Sequence, residues 1–370
     1  MPLSSLTSHP PAAVSAVLSA RDWPALGALL EGGFPANAAW LAEGSLFEMF
    51  CLAASAPIPI PDSVEHRQQQ DVVRQFVAAG LANRAPFGAD RPFSLPLTIS
   101  ALLGRRDLVE QLMLAGHHPD ALNCPHSLPP LNVMCEVHSP FAGEPVPQRA
   151  PKADVVRALL RGGADIEAEG SHRYRPLQQA VRQGDTETVL ALLEGGAEVD
   201  GALMALSFDP GPQWSPLAWA VYHDRAVCCQ TLLGAGANPF LSMGPGQSIV
   251  ECAGVWAGPD TWRALVQAVG LAHPEVTRGW FQAIQANKPA LLMWFLTAGM
   301  DVSVLTEQGW GGLDVAAQAN AMDAYRWLLI AGLDPDQRRA DGKTASERLS
   351  PQTQGRRPHL VWDNPAEPAP

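Results

Sequence analysis

The sequence predicts an all-α solenoid of about nine short helical hairpins, and three observations predict it. Residues 176–200, PLQQAVRQGDTETVLALLEGGAEVD, place apolar side chains at Leu177, Ala180 and Val181 and again at Val189, Leu192 and Leu193, one narrow stripe on each of two helices. A glycine that ends the second helix of such a pair recurs at Gly33, Gly80, Gly116, Gly163, Gly196, Gly236, Gly270, Gly299 and Gly332. Four residues before each of these stands an apolar residue: Leu29, Phe76, Leu112, Leu159, Leu192, Leu232, Val266, Phe295 and Leu328.

Within the best copy each boundary has a physical cause. Gly184 suits the left-handed residue that closes a first helix, and Asp185 can accept from the free amides that start the second. Gly195 and Gly196 stop that second helix. Nineteen residues before the closing glycine an apolar anchor begins the regular copies, at Leu97, Leu177, Leu217, Trp280 and Leu313. Pro96, Pro176 and Pro216 precede three of these anchors, where the first helical turn tolerates proline. Helices of about ten residues cannot bury their own stripe, so each hairpin needs neighbours on both sides.

In chain order, residues 1–11 form a Ser/Pro-rich flexible tail, and the array runs over 12–350. Its first hairpin, 12–33, turns at Arg21 and Asp22 and departs from the pattern, as expected of a cap whose outer face meets water. Insertions lengthen some units, near 54–70, 139–151 and 201–213. In the first, the alternating Pro57, Pro59 and Pro61 and the polar run 65–70 predict an extended strut between helices. In the second, Pro140, Pro145, Pro147 and Pro151 delay the second helix until Ala153. Residues 336–349 read as a polar C-terminal cap, with Ser346 where an anchor would stand. The Pro-rich stretch 351–370 reads as a flexible, inert tail, with His359, Leu360, Val361 and Trp362 as the alternative reading of a short docking motif.

The unit resembles the ankyrin repeat, about 33 residues of turn plus two helices with a T-P-L-H-x-A opening. The matching openings are Arg175-Pro176-Leu177-Gln178-Gln179-Ala180 and Ser215-Pro216-Leu217-Ala218-Trp219-Ala220. The matching endings are Gly163-Ala164-Asp165, Gly196-Ala197-Glu198 and Gly236-Ala237-Asn238. The resemblance covers about 12–350 and implies an ankyrin-type solenoid with short β-hairpin-like turns. No unit carries the family's His after the anchor, and only some keep the proline.

Composition narrows the function classes. Hydrophobic residues make up 47% and charged residues 17% of the 370, which suits a continuous buried core, and no apolar run nears the length of a membrane span. A net charge of −12 argues against phosphate-mediated nucleic-acid binding and for a neutral or basic protein partner. The six cysteines lack the spacing of a secreted disulfide scaffold, and no secretory signal opens the chain, so a cytoplasmic protein is expected.

The candidates for chemistry have structural explanations. Cys124, His126, Cys135 and His138 include the ligand types of a zinc site, but Cys135 falls on a core position and His138 on a helix-closing one. Cys228 and Cys229, near His223, fall at second-helix core positions, where a thiol is inert. Gly244-Pro245-Gly246 has no preceding strand pattern and is too short for a phosphate loop. Asp107, Asp185, Asp224, Asp260 and Asp323 stand near second-helix starts and read as caps. No catalytic residue, metal ligand or cofactor site is therefore assigned.

Surface remains. The resemblance implies an inner face lined by hairpin tips and by late first-helix residues. That register puts Tyr174, Trp214 and Trp310 at tips and Arg182, Tyr222, His223 and Gln318 late in first helices, with Trp, Tyr and Arg the types that dominate interface energy. The expected function is non-catalytic: a monomeric scaffold binding a protein partner through that face and the insertions. Variants of this reading are an acidic immunity protein that neutralises a basic toxin, and an adaptor or effector delivered into another cell. A metal or thiol enzyme built on the Cys/His cluster accounts for least of the pattern.

Overall fold

The computed structural model describes residues 10–40, 44–55, 60–81, 96–120, 128–136, 151–170, 174–201, 214–244 and 246–349. It divides into two compact units, Met1–Asp209 and Pro210–Pro370.

Among the described residues the first unit holds five hairpins: α1 (Ala12–Ala20) with α2 (Trp23–Glu31), α3 (Leu46–Ala54) with α4 (Val64–Ala78), α5 (Pro96–Leu102) with α6 (Arg106–Leu114), α7 (Pro130–Glu136) with α8 (Lys152–Arg161), and α9 (Pro176–Gln183) with α10 (Thr186–Glu194). The antiparallel pair β1 (Ala39–Trp40) and β2 (Gly44–Ser45) precedes α3. The second unit holds four: α11 (Pro216–Tyr222) with α12 (Ala226–Gly234), α13 (Ile249–Trp256) with α14 (Pro259–Val269), α15 (Pro274–Gln285) with α16 (Pro289–Thr297), and α17 (Gly312–Gln318) with α18 (Met322–Ile330). The antiparallel pair β3 (Ser242–Gly244) and β4 (Gln247–Ser248) precedes α13, and the single-turn α19 (Ala345–Arg348) follows the last hairpin.

All nine marker glycines have positive φ, between 81° and 94°. In eight of them the residue after the glycine donates its amide five residues back, as in Ala197 N to Leu192 O and Ala237 N to Leu232 O, both 3.0 Å. This is the Schellman closure, and it explains the recurring apolar residue: that residue's carbonyl accepts the closing bond while its side chain enters the core. Phe76, Leu112, Leu159, Leu192, Leu232 and Phe295 are wholly buried, and Leu328 nearly so. Leu29 and Val266 depart from this and are only half-buried. At α14 the cause is visible: the helix runs up to Gly270 without an intervening cap residue, so the core position shifts back by one to the buried Leu265. At α2 the buried side chains are Trp23, Leu26 and Leu30. The anchors Leu97, Leu177, Leu217, Trp280 and Leu313 are all buried.

The extended strut expected over 56–70 is corrected. Residues 64–70 begin α4, a 15-residue helix capped by Ser63, whose Oγ accepts from the His66 amide at 3.1 Å. The prolines end at Pro61, and beyond it Glu, His, Arg and Gln impose no helix-breaking constraint. Residues 56–59, 137–150 and 202–213 lie outside the described residues, and with them most of the other two insertions.

The aspartates are corrected as well. Asp185 does cap its own helix, accepting from the Thr188 amide at 3.1 Å. Asp107 instead takes a two-pronged bond from the buried Arg105 guanidinium, at 2.9 and 2.7 Å. Asp260 pairs with Arg263 one turn along its own helix, and Asp323 accepts from Asn287 in the previous hairpin. Asp224 caps a helix in the next hairpin, accepting from the Gly258 amide. Carbonyls that end first helices are likewise met from the following hairpin: Arg105 reaches Ala54 O at 3.1 Å, Gln183 reaches Glu136 O at 3.2 Å and Lys288 reaches Ala257 O at 3.2 Å. Adjacent hairpins thus satisfy one another's helix ends, which would otherwise be orphaned.

Candidate functional site

The tips are built by one recurring backbone bond. Gly170 donates its amide to Tyr174 O at 2.8 Å, and Thr306 donates to Trp310 O at 2.8 Å, so both aromatic residues close a tight tip just before a first helix. The two rings also share a neighbour type. The Arg182 guanidinium lies 4.2 Å from the Tyr174 ring centroid, and that of Arg348 lies 4.5 Å from Trp310, each a cation–π arrangement. Arg348 is fixed by Asp341 and by the fully buried Asp314, which accepts from Arg348 Nε at 3.0 Å, Arg339 Nε at 2.6 Å and the Gly311 amide at 3.0 Å.

In the second unit the predicted tip residue Trp214 joins the predicted helix residues directly. Its ring packs on Trp219 at 4.9 Å and on Tyr222 at 5.1 Å, and its Nε1 donates to Met243 O at 2.9 Å, tying the tip to β3. His223 stacks on Trp219 at 5.7 Å with an 18° interplanar angle. Tyr222 then meets Trp256 at 4.8 Å. Trp219 is buried, whereas Tyr222 is 37% and Trp256 45% exposed, so a packed aromatic base carries two rings open to solvent. Trp256 is the residue that sequence reasoning missed. Its helix places the buried Val250 twenty, not nineteen, residues before the closing glycine, so the register passed over it.

Also in the second unit, Trp310 and Gln318 line a groove of about 840 Å³ with Phe281, Gln282, Leu305 and Glu307. Two of the seven predicted residues thus share a concavity and three more share the aromatic cluster. Tyr174 and Arg182 form a pair in the first unit.

The chemistry-bearing side chains elsewhere are withdrawn from solvent. Cys51, Cys135, Cys228, Cys229 and Cys252 are buried free thiols. Burial pushes the Cys51, Cys135 and Cys229 thiols up to about 12, which suppresses the thiolate a nucleophile or metal ligand requires. Cys124, His126 and His138 lie outside the described residues. Among the described residues no three His, Cys, Asp or Glu side chains gather as a metal-binding group. A short strand, β3, does run into this segment and ends on Gly244, contrary to expectation, but it pairs with β4 and makes no strand-to-helix phosphate loop. Among the described residues no helix is long and apolar enough to cross a membrane.

Comparison with known proteins matches residues 148–242 to the family model of ankyrin repeats, in three copies. The chain carries ankyrin repeats. It is 32% identical over 162 residues to a mouse (Mus musculus) B-cell lymphoma 3 protein homolog, covering 43% of this chain and 32% of the relative. It is 34% identical over 87 residues to a probable E3 ubiquitin-protein ligase, XBOS31, of Oryza sativa subsp. japonica, covering 24% and 18%. The chain therefore spans about a third or less of the length of these curated relatives. Among solved structures it is similar to the ankyrin repeat domain of human ASB11, at 19% identity and a TM-score of 0.36 over 70% of this chain and 92% of that one. It is also similar to the ankyrin repeat domain of Bcl-3, a member of the IkappaB protein family, at 18% identity and a TM-score of 0.39 over 72% and 96%. An ankyrin-repeat array implies a protein–protein interaction scaffold.

Proposed function

We propose that this chain is a non-catalytic scaffold that binds a protein partner through the surface of its hairpin tips and first-helix ends. The observation that carries the reading is the aromatic cluster of Trp214, Trp219, Tyr222, His223 and Trp256, packed beneath and open above. Rings already held in place lose little freedom on binding, and Trp and Tyr are the residues most enriched at interface hot spots. Tyr174 with Arg182 and Trp310 with Gln318 extend the reading to other tips. The net charge of −12 supports a neutral or basic partner, and the buried free thiols support a reducing compartment.

The same charge favours a second reading, an acidic immunity protein that neutralises a basic toxin, in which association is fast at low salt and slows as salt screens it. The test is capture of a partner by the full chain, followed by hydrogen exchange of the chain with and without that partner. Protection concentrated at 219–223, 256 and 305–318 supports the proposed surface. Protection confined to second helices sinks it. An inhibited basic toxin among the captured proteins selects the second reading.

A further inference from the structure

The groove beside Trp310 is lined along one whole face of α15. Pro274, Thr277, Arg278, Phe281, Gln282 and Gln285 follow the i, i+3, i+4, i+7, i+8, i+11 spacing of a single helical stripe, so the concavity runs about 16 Å at 1.5 Å rise per residue. The tip that ends on Trp310 adds Leu305, Glu307 and Gln308, and α17 adds Val315 and Gln318. Gln282, Gln285, Gln308 and Gln318 bring primary amides to one groove, and among the described residues none of these side chains makes a hydrogen bond. Gln282 is half-buried and the other three are exposed. Each amide carries a donor N–H and an acceptor C=O, the same pair that a peptide group carries. Their complement is a backbone whose own N–H and C=O groups are unsatisfied, which an extended segment has and a helix lacks. Glu251 and Glu307 add carboxylates that form no ion pair among the described residues, whereas Arg278 is held by Glu275 at 2.9 Å. Phe281, Leu305 and Trp310 supply apolar surface, with Leu305 51% exposed.

We propose that this groove takes an extended segment of a partner protein. The glutamines bond the backbone of that segment, Glu251 and Glu307 meet one of its Lys or Arg side chains, and Phe281, Leu305 and Trp310 meet an apolar side chain beside it. Five extended residues span about 17 Å at 3.3–3.6 Å each, the length of the α15 stripe. Backbone bonds supply affinity without regard to sequence, so selectivity falls to the carboxylates and the apolar patch. The occupant is therefore a short basic and apolar linear segment, in keeping with the net charge of −12. This rests on reading the hairpin tips as the partner surface, and it states the chemistry of what one of them holds.

The probe is a bead-bound library of acetylated, amidated heptapeptides randomised at every position, screened with the full chain and read by sequencing the retained peptides. These should carry Lys or Arg beside a Leu, Met or aromatic residue. One of them, resynthesised with fluorescein, is then titrated by anisotropy. Gln282→Met with Gln318→Met keeps side-chain length while removing two amides, and should weaken binding at least tenfold. N-methylation of the central peptide amides should do the same, and the two losses combined should fall short of their product because they delete shared bonds. Glu307→Lys should also cost at least tenfold. Circular dichroism checks that the variants are folded; if the Met pair is not, Gln308→Ala at the exposed tip takes its place. Retention of no peptide, or of acidic or uncharged ones, overturns the proposal, as does indifference to N-methylation or to the groove variants. A dimer of the full chain in sedimentation that Glu307→Lys dissolves would seat a second copy in the groove and overturn it as well. Peptides lost with Trp256→Ala but kept by the groove variants sit on the aromatic cluster, which overturns this inference and leaves the scaffold reading standing.

Discussion

Asp224 caps a helix that belongs to the next hairpin: its carboxylate accepts from the Gly258 amide at 2.8 Å and from the Thr261 hydroxyl at 2.6 Å. Asp224 sits in the left-handed region, φ 52°, at the end of α11, which turns its side chain across the stack toward the start of α14. Asn287, φ 53°, does the same two hairpins on, its Oδ1 accepting from the Ala324 amide at 2.9 Å. One residue therefore closes a first helix and starts a neighbour's second helix, coupling adjacent repeats through a polar contact as well as through the core.

Replacing Asp224 should separate the two roles. Asp224→Gly keeps the backbone unstrained and loses only the cap, at about 1 kcal/mol. Asp224→Ala loses the cap and adds left-handed strain of about 1–2 kcal/mol. Asp224→Asn keeps an acceptor and stays within a few tenths. Urea denaturation of the three variants checks the order, and equal midpoints for the Gly and Ala variants would refute the strain term.

Two glycines in one turn should respond with opposite sign. Gly234 ends α12 in helical conformation with nothing within 4 Å of a Cβ built on it, so Gly234→Ala should stabilise by about 0.4–1 kcal/mol through the unfolded state. Gly236, φ 92°, also has open space, yet Gly236→Ala should destabilise by about 1–2 kcal/mol, because the cost is conformational and not steric. Thermal denaturation of both variants decides it. A fall in stability for both would show that the α12 terminus is packed more tightly than its surroundings indicate.

The repeat register was legible because it reports a local device. The Schellman closure needs a left-handed glycine and an apolar residue at fixed spacing, and both are written within five residues of sequence. What was not legible acts between repeats. The bond from Asp224 to Gly258 joins residues 34 apart, so a local reading took Asp224 for a cap on its own second helix. Trp256 and Val266 escaped for a related reason, since α14 meets Gly270 without a cap residue and shifts its unit by one. For the surface, the tips of Tyr174 and Trp310 were legible from register alone. Whether a tip ring packs on its neighbours, as Trp214 does on Trp219 and Tyr222, depends on helices that no single unit specifies.

The Arg105–Asp107 pair should set the acid response of the first unit. Burial pushes the Asp107 carboxyl up, but the bonds and charge of Arg105, with the nearby His66, pull it further down, so it lies below the usual carboxylate range. A depressed carboxyl gives stability that is present above about pH 4 and is lost as pH falls through the lowered value. Arg105→Met also abandons Ala54 O and should cost about 3 kcal/mol at pH 7, the lower end for breaking a buried pair because Asp107 keeps access to water. The wild-type loss between pH 4 and 3 should shrink in this variant. Urea midpoints at pH 7, 4 and 3 check both statements, and an unchanged acid slope would move the titration to other carboxylates such as Asp185.

The proposed binding surface is tested best at Trp256, because an effect on binding there can be separated from one on stability. Trp214 is tied to Met243 and packs on two rings, so Trp214→Ala should lower stability and affinity together and leave the cause mixed. Trp256 packs on Tyr222 but is 45% exposed at the end of α13, so its removal leaves no sealed cavity and should cost the fold little. If the cluster anchors the partner, Trp256→Ala should weaken binding by at least about 2 kcal/mol, a thirtyfold rise in Kd, mostly through faster dissociation. Tyr222→Ala should follow in the same direction. Glu187→Ala, on the exposed face of second helix α10, should leave affinity within about 0.5 kcal/mol and serves as the control. Calorimetry against the captured partner, with unfolding midpoints measured on the same samples, provides the comparison. Matching affinities for Trp256→Ala and Glu187→Ala in folded proteins would remove the aromatic cluster from the interface and leave the Trp310 groove as the surface to test next.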